Sequence, residues 1–137
     1  MSLYIDTSVW YAAADSSDRS NAPAKHILGS GEQLVTSDHV LIETWILIRH
    51  RIGRSAAERF WSGLRSGAAL VEPVCPADLE AAWQIGSSWA DQDFSIVDRT
   101  SFAVMNRLGI ETAASLDEHF AIFRFGPSRR RSFTILR

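Results

Sequence analysis

Short apolar runs alternate with longer segments of helical pattern along the whole chain. The runs favour β structure, and polar or turn-forming positions bound each of them. The runs predicted to be strands are residues 3–5, 34–36, 69–74, 112–116 and 133–136. Because strands that alternate with helices favour parallel pairing, the pattern predicts an α/β protein with a mostly parallel sheet sandwiched between helices.

The helix after the second strand has the clearest boundaries. Ser37 or Asp38 is predicted to cap it, and it runs to Arg51. Apolar residues occupy nearly all of its sides, so we expect a buried helix rather than a surface one. Before the second strand, the polar stretch 15–21 and the following Pro23 predict a loop or a helix break.

Three later helix starts carry capping patterns. Ser55 and Glu58 have the spacing of a capping box, in which two side chains satisfy free amides at a helix start. Asp78 is predicted to cap the next helix, and Ser95 with Asp98 repeats the capping-box spacing before another. These starts predict a helix on either side of the third strand and a further helix before the fourth.

Length and charge limit the range of functions. The chain has 137 residues, 46% of them hydrophobic, which is enough for one core, so we expect one domain over residues 1–137. A net charge of −2 argues against binding to nucleic acid mainly by bulk charge. Local arginines or metal ions would have to offset the phosphates of RNA. Lys25 is the only lysine, and the other 13 basic residues are arginines. This excess of arginine indicates either phosphate recognition or, as we prefer, compositional bias.

The cellular setting is indicated by features that the sequence lacks. Cys75 is the only cysteine, so an intramolecular disulfide is impossible. No apolar run is long enough to span a membrane, and the N-terminus lacks the pattern of a signal peptide. We therefore expect a reduced, cytoplasmic setting.

Acidic residues fall where a parallel sheet binds its ligands. Open parallel sheets bind ligands beyond the carboxyl ends of their strands. Asp6 ends the first predicted strand, and Asp117 ends the fourth. Asp98 lies in the first turn of the helix before the fourth strand, and Glu43 lies early in the helix after the second. We expect these four carboxylates to meet at one edge of the sheet.

Each acid also has a structural interpretation. Asp6 and Asp117 could cap the helices that follow them, and Asp98 could simply complete the capping box. Glu43 is the most informative, because its neighbours on the helix are apolar and a buried, unpaired charge is costly. Arginines 49 and 51 are too far along the helix to reach it easily, which favours a metal ion as its partner.

Clustered carboxylates suit metal-dependent hydrolysis of phosphodiesters. Mg²⁺ prefers oxygen ligands and keeps several waters. Such an ion can activate a water for in-line attack on phosphorus and stabilise the leaving oxygen. Without a metal the carboxylates repel one another, so their grouping needs a functional reason.

Four segments together resemble the PIN-domain family, in particular the toxins of bacterial VapBC-type toxin–antitoxin pairs. They are LYIDTS at 3–8, LIET at 41–44, DFSIVD at 93–98 and LDEHF at 116–120. The resemblance implies a three-layer α/β/α sandwich, Mg²⁺ or Mn²⁺ as cofactor and endoribonuclease activity on RNA. It also implies a homodimer that a small antitoxin protein inhibits.

The resemblance assigns roles to particular residues. It implies that Asp6, Glu43, Asp98 and Asp117 hold the metal and carry catalysis. Thr7 or Ser8 would supply a hydroxyl that orients Asp6 or a metal-bound water. The acid of the third segment could also be Asp91 or Asp93. We prefer Asp98 because it follows the Ser-x-x-Asp helix start, with Asp93 as an outer member of the site.

Two rival functions fit the sequence less well. A phosphatase with Asp6 as its nucleophile would normally have an aspartate two residues later, where this chain has Ser8. An inactive PIN-like module that binds RNA or protein is disfavoured by the presence of all four acids. His119 is interpreted as a packing or surface residue rather than a general base. The other histidines and Cys75 lack the ligand spacing of a zinc site.

Overall fold

A single parallel sheet of five strands organises the chain. The computed structural model describes residues 1–137. Every strand pairs in parallel with its neighbours, in the order β3-β2-β1-β4-β5. The strands are β1 Ser2–Ile5, β2 Gln33–Ser37, β3 Leu70–Glu72, β4 Thr112–Ala114 and β5 Thr134–Leu136. The predicted α/β class and parallel sheet are confirmed, although β3 and β4 are shorter than expected.

Seven helices cover the sheet. They are α1 Thr7–Ala14, α2 Asn21–Leu28, α3 Asp38–Arg51, α4 Arg54–Arg65, α5 Pro76–Ser88, α6 Ile96–Leu108 and α7 His119–Ile122. The chain moves from β1 to β3 in one direction and then crosses back to β4, so right-handed connections put α1–α4 and α5–α6 on opposite faces. The result is the three-layer α/β/α sandwich. None of the helices combines the length and apolar character needed to cross a membrane.

The direction of the connections reverses between β1 and β4, which are neighbours in the sheet. At such a switch point the loops after adjacent strands diverge to opposite faces and leave a crevice. Asp6 follows β1 directly, and residues 115–118 follow β4. The topology therefore opens a crevice beside both segments.

The core fixes α6 against the sheet beside this crevice. Phe102 is fully buried, and its ring lies 4.4 Å from the ring of Phe123 and 4.9 Å from that of Phe120. Tyr4 on β1 is also fully buried, and its hydroxyl donates to Ser101 Oγ at 2.8 Å. These contacts hold α6 in place from β1 to α7, and with it the acidic N-terminus of α6.

Helix α2 was missed from the sequence. The segment expected to be a loop or helix break contains a helix from Asn21, with Pro23 in its first turn. Proline is tolerated there because the first amides of a helix have no intrahelical partner. Asn21 Nδ2 donates to the carbonyl of Ala12 at 2.8 Å, which ties the start of α2 to the end of α1. The loop is therefore limited to the residues between the two helices.

Helix α3 is not buried all round, contrary to expectation. Only Val40, Thr44 and Ile48 are buried, whereas Ile42 and Ile46 are 55% and 58% exposed. One stripe of the helix faces the core, so apolar residues on its other sides remain in solvent. The predicted cap is confirmed, since Ser37 Oγ accepts from the amide of Val40 at 3.1 Å.

Of the other three predicted helix caps, one is confirmed and two are wrong. Ser95 and Asp98 form the predicted capping box. Helix α4 instead begins at Arg54, one residue before the expected box, so Ser55 lies within the helix, and Glu58 pairs with Arg54 at 3.3 Å. The cap of α5 is Cys75 rather than Asp78, which lies in the first turn and accepts from the Cys75 amide at 3.0 Å.

Candidate active site

Asp6 is the most buried acid in the crevice, with 4% of its surface exposed. It occupies the N-cap position of α1, but its side chain makes no capping bond, so the capping interpretation does not apply. Its Oδ2 instead accepts from the hydroxyls of Ser8 and Ser115, each at 2.9 Å. Burial raises the pKa of Asp6 to about 6, and the negative charge of Asp98 adds to the rise against those two hydrogen bonds.

Glu43 faces the same crevice from the second turn of α3. Its Oε1 accepts from Thr7 Oγ1 at 2.6 Å, and the residue is half-buried. Partial burial raises the pKa of Glu43, and the charges of Asp98 and Asp117 raise it further against the Thr7 bond. No lysine or arginine forms an ion pair with Asp6 or Glu43. Arg49 and Arg51, which follow Glu43 on the same helix, form no ion pair with it.

Asp98 has both of the roles considered for it. Its amide donates to Ser95 Oγ at 3.0 Å, and its Oδ2 accepts from the Ser95 amide at 3.2 Å. The same oxygen lies 2.7 Å from Nδ1 of His119. Burial raises the pKa of Asp98, as does the charge of Asp117, while the contact with His119 lowers it. Capping the helix therefore does not remove Asp98 from the acidic group.

Asp117 lies in the turn after β4, where its Oδ1 accepts from the amide of His119 at 2.8 Å. Its side chain is 38% exposed, more than that of Asp98. One potential ligand atom from each of Asp98, Asp117 and His119 lies within 4.8 Å of the others. Asp6 and Glu43 lie outside this group of three, and the negative charge of Asp98 helps to raise the pKa of each of them.

His119 was not predicted to belong to this group. Its Nδ1 lies 3.4 Å from Asp117 Oδ1, in addition to the short contact with Asp98, and its ring packs edge-on against Phe94 at 5.2 Å. Burial lowers the pKa of His119, but the bond to Asp98 and the charge of Asp117 outweigh burial and raise it. The only signal in the sequence was its position two residues after Asp117, which a surface histidine would share.

The hydroxyls near the acids differ from one another in their contacts. Ser8 donates to Asp6 and accepts from the amide of Leu116 at 2.9 Å, so it links the segment after β1 to the segment after β4. Thr7 contacts Glu43 rather than Asp6. Asp93 is exposed and acts only through its charge, which helps to raise the pKa of His119.

Ser115 is a further residue of the site that the sequence did not indicate. It is fully buried, donates to Asp6 Oδ2 and accepts from the amide of Asp117 at 3.1 Å. The available signal was a polar residue inside the apolar run that ends at Leu116. A single serine in such a run is too common to be assigned a role without the fold.

The residues of the crevice fit a hard divalent cation. Carboxylate oxygens are the donors that Mg²⁺ and similar ions prefer. Asp6, Glu43 and Asp98 all have raised pKa values because burial and neighbouring negative charge disfavour their ionised forms. A cation among them would remove that penalty, and no lysine or arginine supplies it.

The comparison with known proteins agrees with this geometry. A protein-family model described as PIN domain matches residues 3–126. The chain belongs to the PIN domain family. This PIN domain is 38% identical over 125 residues to 23S rRNA-specific endonuclease VapC20 of Mycobacterium tuberculosis, covering 90% of this chain and 95% of that protein. It is 28% identical over 136 residues to Ribonuclease VapC26 of the same organism, covering 98% and 99%.

Solved structures carry the same fold. The crystal structure of M. tuberculosis VapC20, described as a sarcin-ricin loop cleaving toxin, matches this PIN domain with a TM-score of 0.83 and 35% identity. The match covers 87% of this chain and 92% of that one. VapBC2 from Rickettsia felis, bound to a DNA fragment from its promoter, matches with a TM-score of 0.66 at 10% identity, which bears on the fold alone.

Proposed function

We propose that this PIN domain is a metal-dependent endoribonuclease, the toxin of a VapBC-type toxin–antitoxin pair. The observation that carries the proposal is the group of buried and half-buried carboxylates without a lysine or arginine partner at the β1/β4 crevice. Similarity over nearly the full chain to a protein named an rRNA endonuclease supports RNA as the substrate. We further propose Mg²⁺, or Mn²⁺ in its place, as the ion used.

The proposed ligands are Asp6, Glu43, Asp98 and Asp117. A divalent cation bound there would favour deprotonation of an attacking water and would stabilise the negative charge that develops on the phosphate. The chain's own residues fix the positions of the carboxylates. Ser8 and Ser115 hold one oxygen of Asp6, and Thr7 holds one oxygen of Glu43.

His119 has a positioning role in this proposal. When Nδ1 carries a proton, it binds Asp98 Oδ2 and lies close to Asp117 Oδ1. The histidine thereby holds together two carboxylates that repel each other. Its raised pKa extends the pH range in which the imidazole is protonated and can do this.

A cleavage assay on mixed RNA tests the proposed function. The purified chain should cleave RNA with Mg²⁺ and stop in EDTA. Asp6→Asn and Asp98→Asn should each lose at least about a hundredfold in rate, as expected when a group acting in the transition state is removed. Glu80→Gln is the matched control, because Glu80 is an exposed acid of α5 that belongs to none of the segments of the site.

The two rival functions predict other results in the same assay. Hydrolysis of a small phosphate monoester without cleavage of RNA would support the phosphatase that uses Asp6 as a nucleophile. Binding of RNA without cleavage under any metal condition would support an inactive binding module. Cleavage that is unchanged in EDTA would contradict the metal-dependent mechanism.

We also propose that a separate antitoxin inhibits the chain by inserting a basic side chain among the acids. A group of carboxylates attracts cations strongly, and an arginine can engage two oxygens at once. The protein encoded beside this chain should be co-purified with it and the complex assayed on RNA. Equal cleavage by the complex and the free chain would refute this part of the proposal.

A second copy of the chain is proposed to cover the exposed side of α3. Ile42 and Ile46 line a groove there together with Glu43 and with Val97 of α6. Apolar side chains that meet their own copies across a two-fold axis are typical of homodimers. Light scattering should give a dimer for the wild type and a monomer for Ile46→Lys. A monomeric wild type at micromolar concentration would refute the dimer.

A further inference from the structure

Arg129 is an exposed arginine without an acidic partner, and it is nevertheless held in place. Its guanidinium carbon lies 4.9 Å from the ring centroid of Trp89. Two nearby arginines are engaged elsewhere, since Arg124 donates to the carbonyls at the end of α7 and Arg131 pairs with Glu111. The adjacent Arg130 is exposed and forms no ion pair, but only Arg129 is stacked on Trp89. Arg129 forms no ion pair, so its guanidinium donors remain free for another anion.

The backbone around Arg129 has an uncommon conformation. A short 3-10 turn spans Pro127–Arg129, and both Ser128 (φ 58°) and Arg129 (φ 51°) lie in the left-handed region. Residues other than glycine rarely adopt it, and where they do the surrounding structure must hold them there. Here the amides of Phe125 and Arg131 bond to each other's carbonyls at 2.9 and 3.1 Å, which closes the loop.

A short series of aromatic contacts links Arg129 to the acidic crevice. The rings of Trp89 and Phe94 lie 5.8 Å apart, and Phe94 lies 5.2 Å from the ring of His119, which contacts Asp98. Trp89 is half-buried, and it also packs against Phe123 in the core. The tryptophan is therefore a fixed support for the guanidinium.

Charge explains why a cation at this position would be useful. The crevice carries several carboxylates, and the whole chain has a net charge of −2, so RNA phosphates approaching it are repelled. A guanidinium is always charged, and its planar arrangement of donors matches the oxygens of a phosphate. An arginine beside the crevice that is free of internal ion pairs can bind the backbone of the RNA without disturbing the metal ligands.

We propose that Arg129, supported by Trp89, binds a backbone phosphate of the substrate RNA a few nucleotides from the cleaved bond. This inference rests on the proposed ribonuclease function. Arg129 acts here as a positioning residue, because it contacts the RNA away from the reacting atoms. The phosphate it binds sets how the strand enters the crevice.

The test compares Arg129→Gln with Arg129→Lys and with the control Arg19→Gln. Arg19 is likewise exposed and free of ion pairs. It follows the C-terminal end of α1, whereas Asp6 lies at the N-terminal end of that helix. Initial rates on a short single-stranded RNA should give Arg129→Gln a KM raised about tenfold with kcat nearly unchanged, since one charge-assisted contact is lost. Lysine keeps the charge and should restore part of the loss.

The salt dependence of binding gives a second, independent measurement. Affinity for the same RNA should be measured in EDTA by fluorescence anisotropy over a range of salt concentrations. Loss of one phosphate contact should reduce the slope of log affinity against log salt by about 0.7 for Arg129→Gln. The slope of the control should equal that of the wild type.

The outcomes separate this inference from the proposed function. A wild type that binds the RNA but never cleaves it would count against the nuclease, and the anisotropy data would still test Arg129. If Arg129→Gln matches Arg19→Gln in KM and in salt slope, Arg129 does not contact the substrate. A loss in kcat alone would also overturn the inference, because it would mean that the substitution disturbs the carboxylates.

Discussion

Replacing Asp6 by asparagine should inactivate the protein and make its metal-free fold more stable. Asp6 is almost fully buried, and its carboxylate accepts from the hydroxyls of Ser8 and Ser115 but has no basic side chain as a partner. Burial raises its pKa to about 6 from an ordinary value of 3.8. At pH values above about 6 the carboxylate of Asp6 is ionised in the folded protein, where burial disfavours the charge. In the unfolded chain the same charge is hydrated and carries no such penalty. Asparagine has the same shape and keeps one acceptor oxygen for Ser8 and Ser115.

The size of the effect follows from the shift in pKa. A carboxyl with a raised pKa in the folded state favours folding below the pKa of the unfolded chain, and this advantage is lost as pH rises through the folded pKa. The loss therefore falls between pH values of 3.8 and about 6. Each pKa unit corresponds to about 1.4 kcal/mol, so at pH 8 the free energy of unfolding should rise by about 3 kcal/mol at most in Asp6→Asn.

Urea unfolding in EDTA at pH 8 and at pH 4.5 measures this gain. The mutant should be clearly more stable than the wild type at pH 8, and the difference should be much smaller at pH 4.5. Asp91→Asn removes an exposed charge and controls for the change in net charge. A mutant that is less stable at pH 8, or a gain that is equal at both pH values, would refute the electrostatic argument.

Three further predictions concern other parts of the molecule. Asp98→Asn should abolish cleavage, and excess Mg²⁺ should raise its melting temperature less than that of the wild type; an equal gain would mean that Asp98 is not a ligand. Arg107→Met should lower the free energy of unfolding by about 2 kcal/mol, since it leaves the buried Asp78 without its partner at 2.9 Å. Burial raises the pKa of Asp78, but hydrogen bonds from Arg107 and Cys75 outweigh burial and lower it. The ionised Asp78 therefore stabilises the fold above its ordinary pKa, and this stabilisation is lost in acid. Urea titrations should show a smaller difference in the free energy of unfolding between mutant and wild type at acidic pH. Ser128→Gly should raise the free energy of unfolding by up to about 1 kcal/mol in urea titrations, because glycine adopts the left-handed conformation freely, and a destabilised mutant would contradict the assigned strain.

The location of the crevice could be predicted because it depends on chain order and strand ends. The apolar runs before Asp6 and Asp117 identified two strands, and parallel pairing brings their carboxyl ends to one edge. Ser95 and Asp98 have a spacing that serves helix capping and the acidic group equally, so that helix start was predicted correctly. Each of these inferences uses residues close together in the sequence.

The remaining features depend on contacts between distant segments. His119 meets Asp98 only because α7 packs beside the start of α6, and Ser115 meets Asp6 across two strands. Ile42 and Ile46 are exposed because α3 has the core on one side only, which its composition does not reveal. In each case the identity of the residue was visible in the sequence, but its neighbour was not.

The order in which the acids occur along the chain has a consequence for its synthesis. Asp6 is made before β2, β3 and β4, whereas Asp117 is made after them. A nascent chain that ends before β4 has no second wall for the crevice and cannot bring the four carboxylates together. For an enzyme proposed to cut RNA, this order means that activity appears only after β4 and Asp117 have been made. Products of translation that stop before β4 are therefore expected to lack this activity.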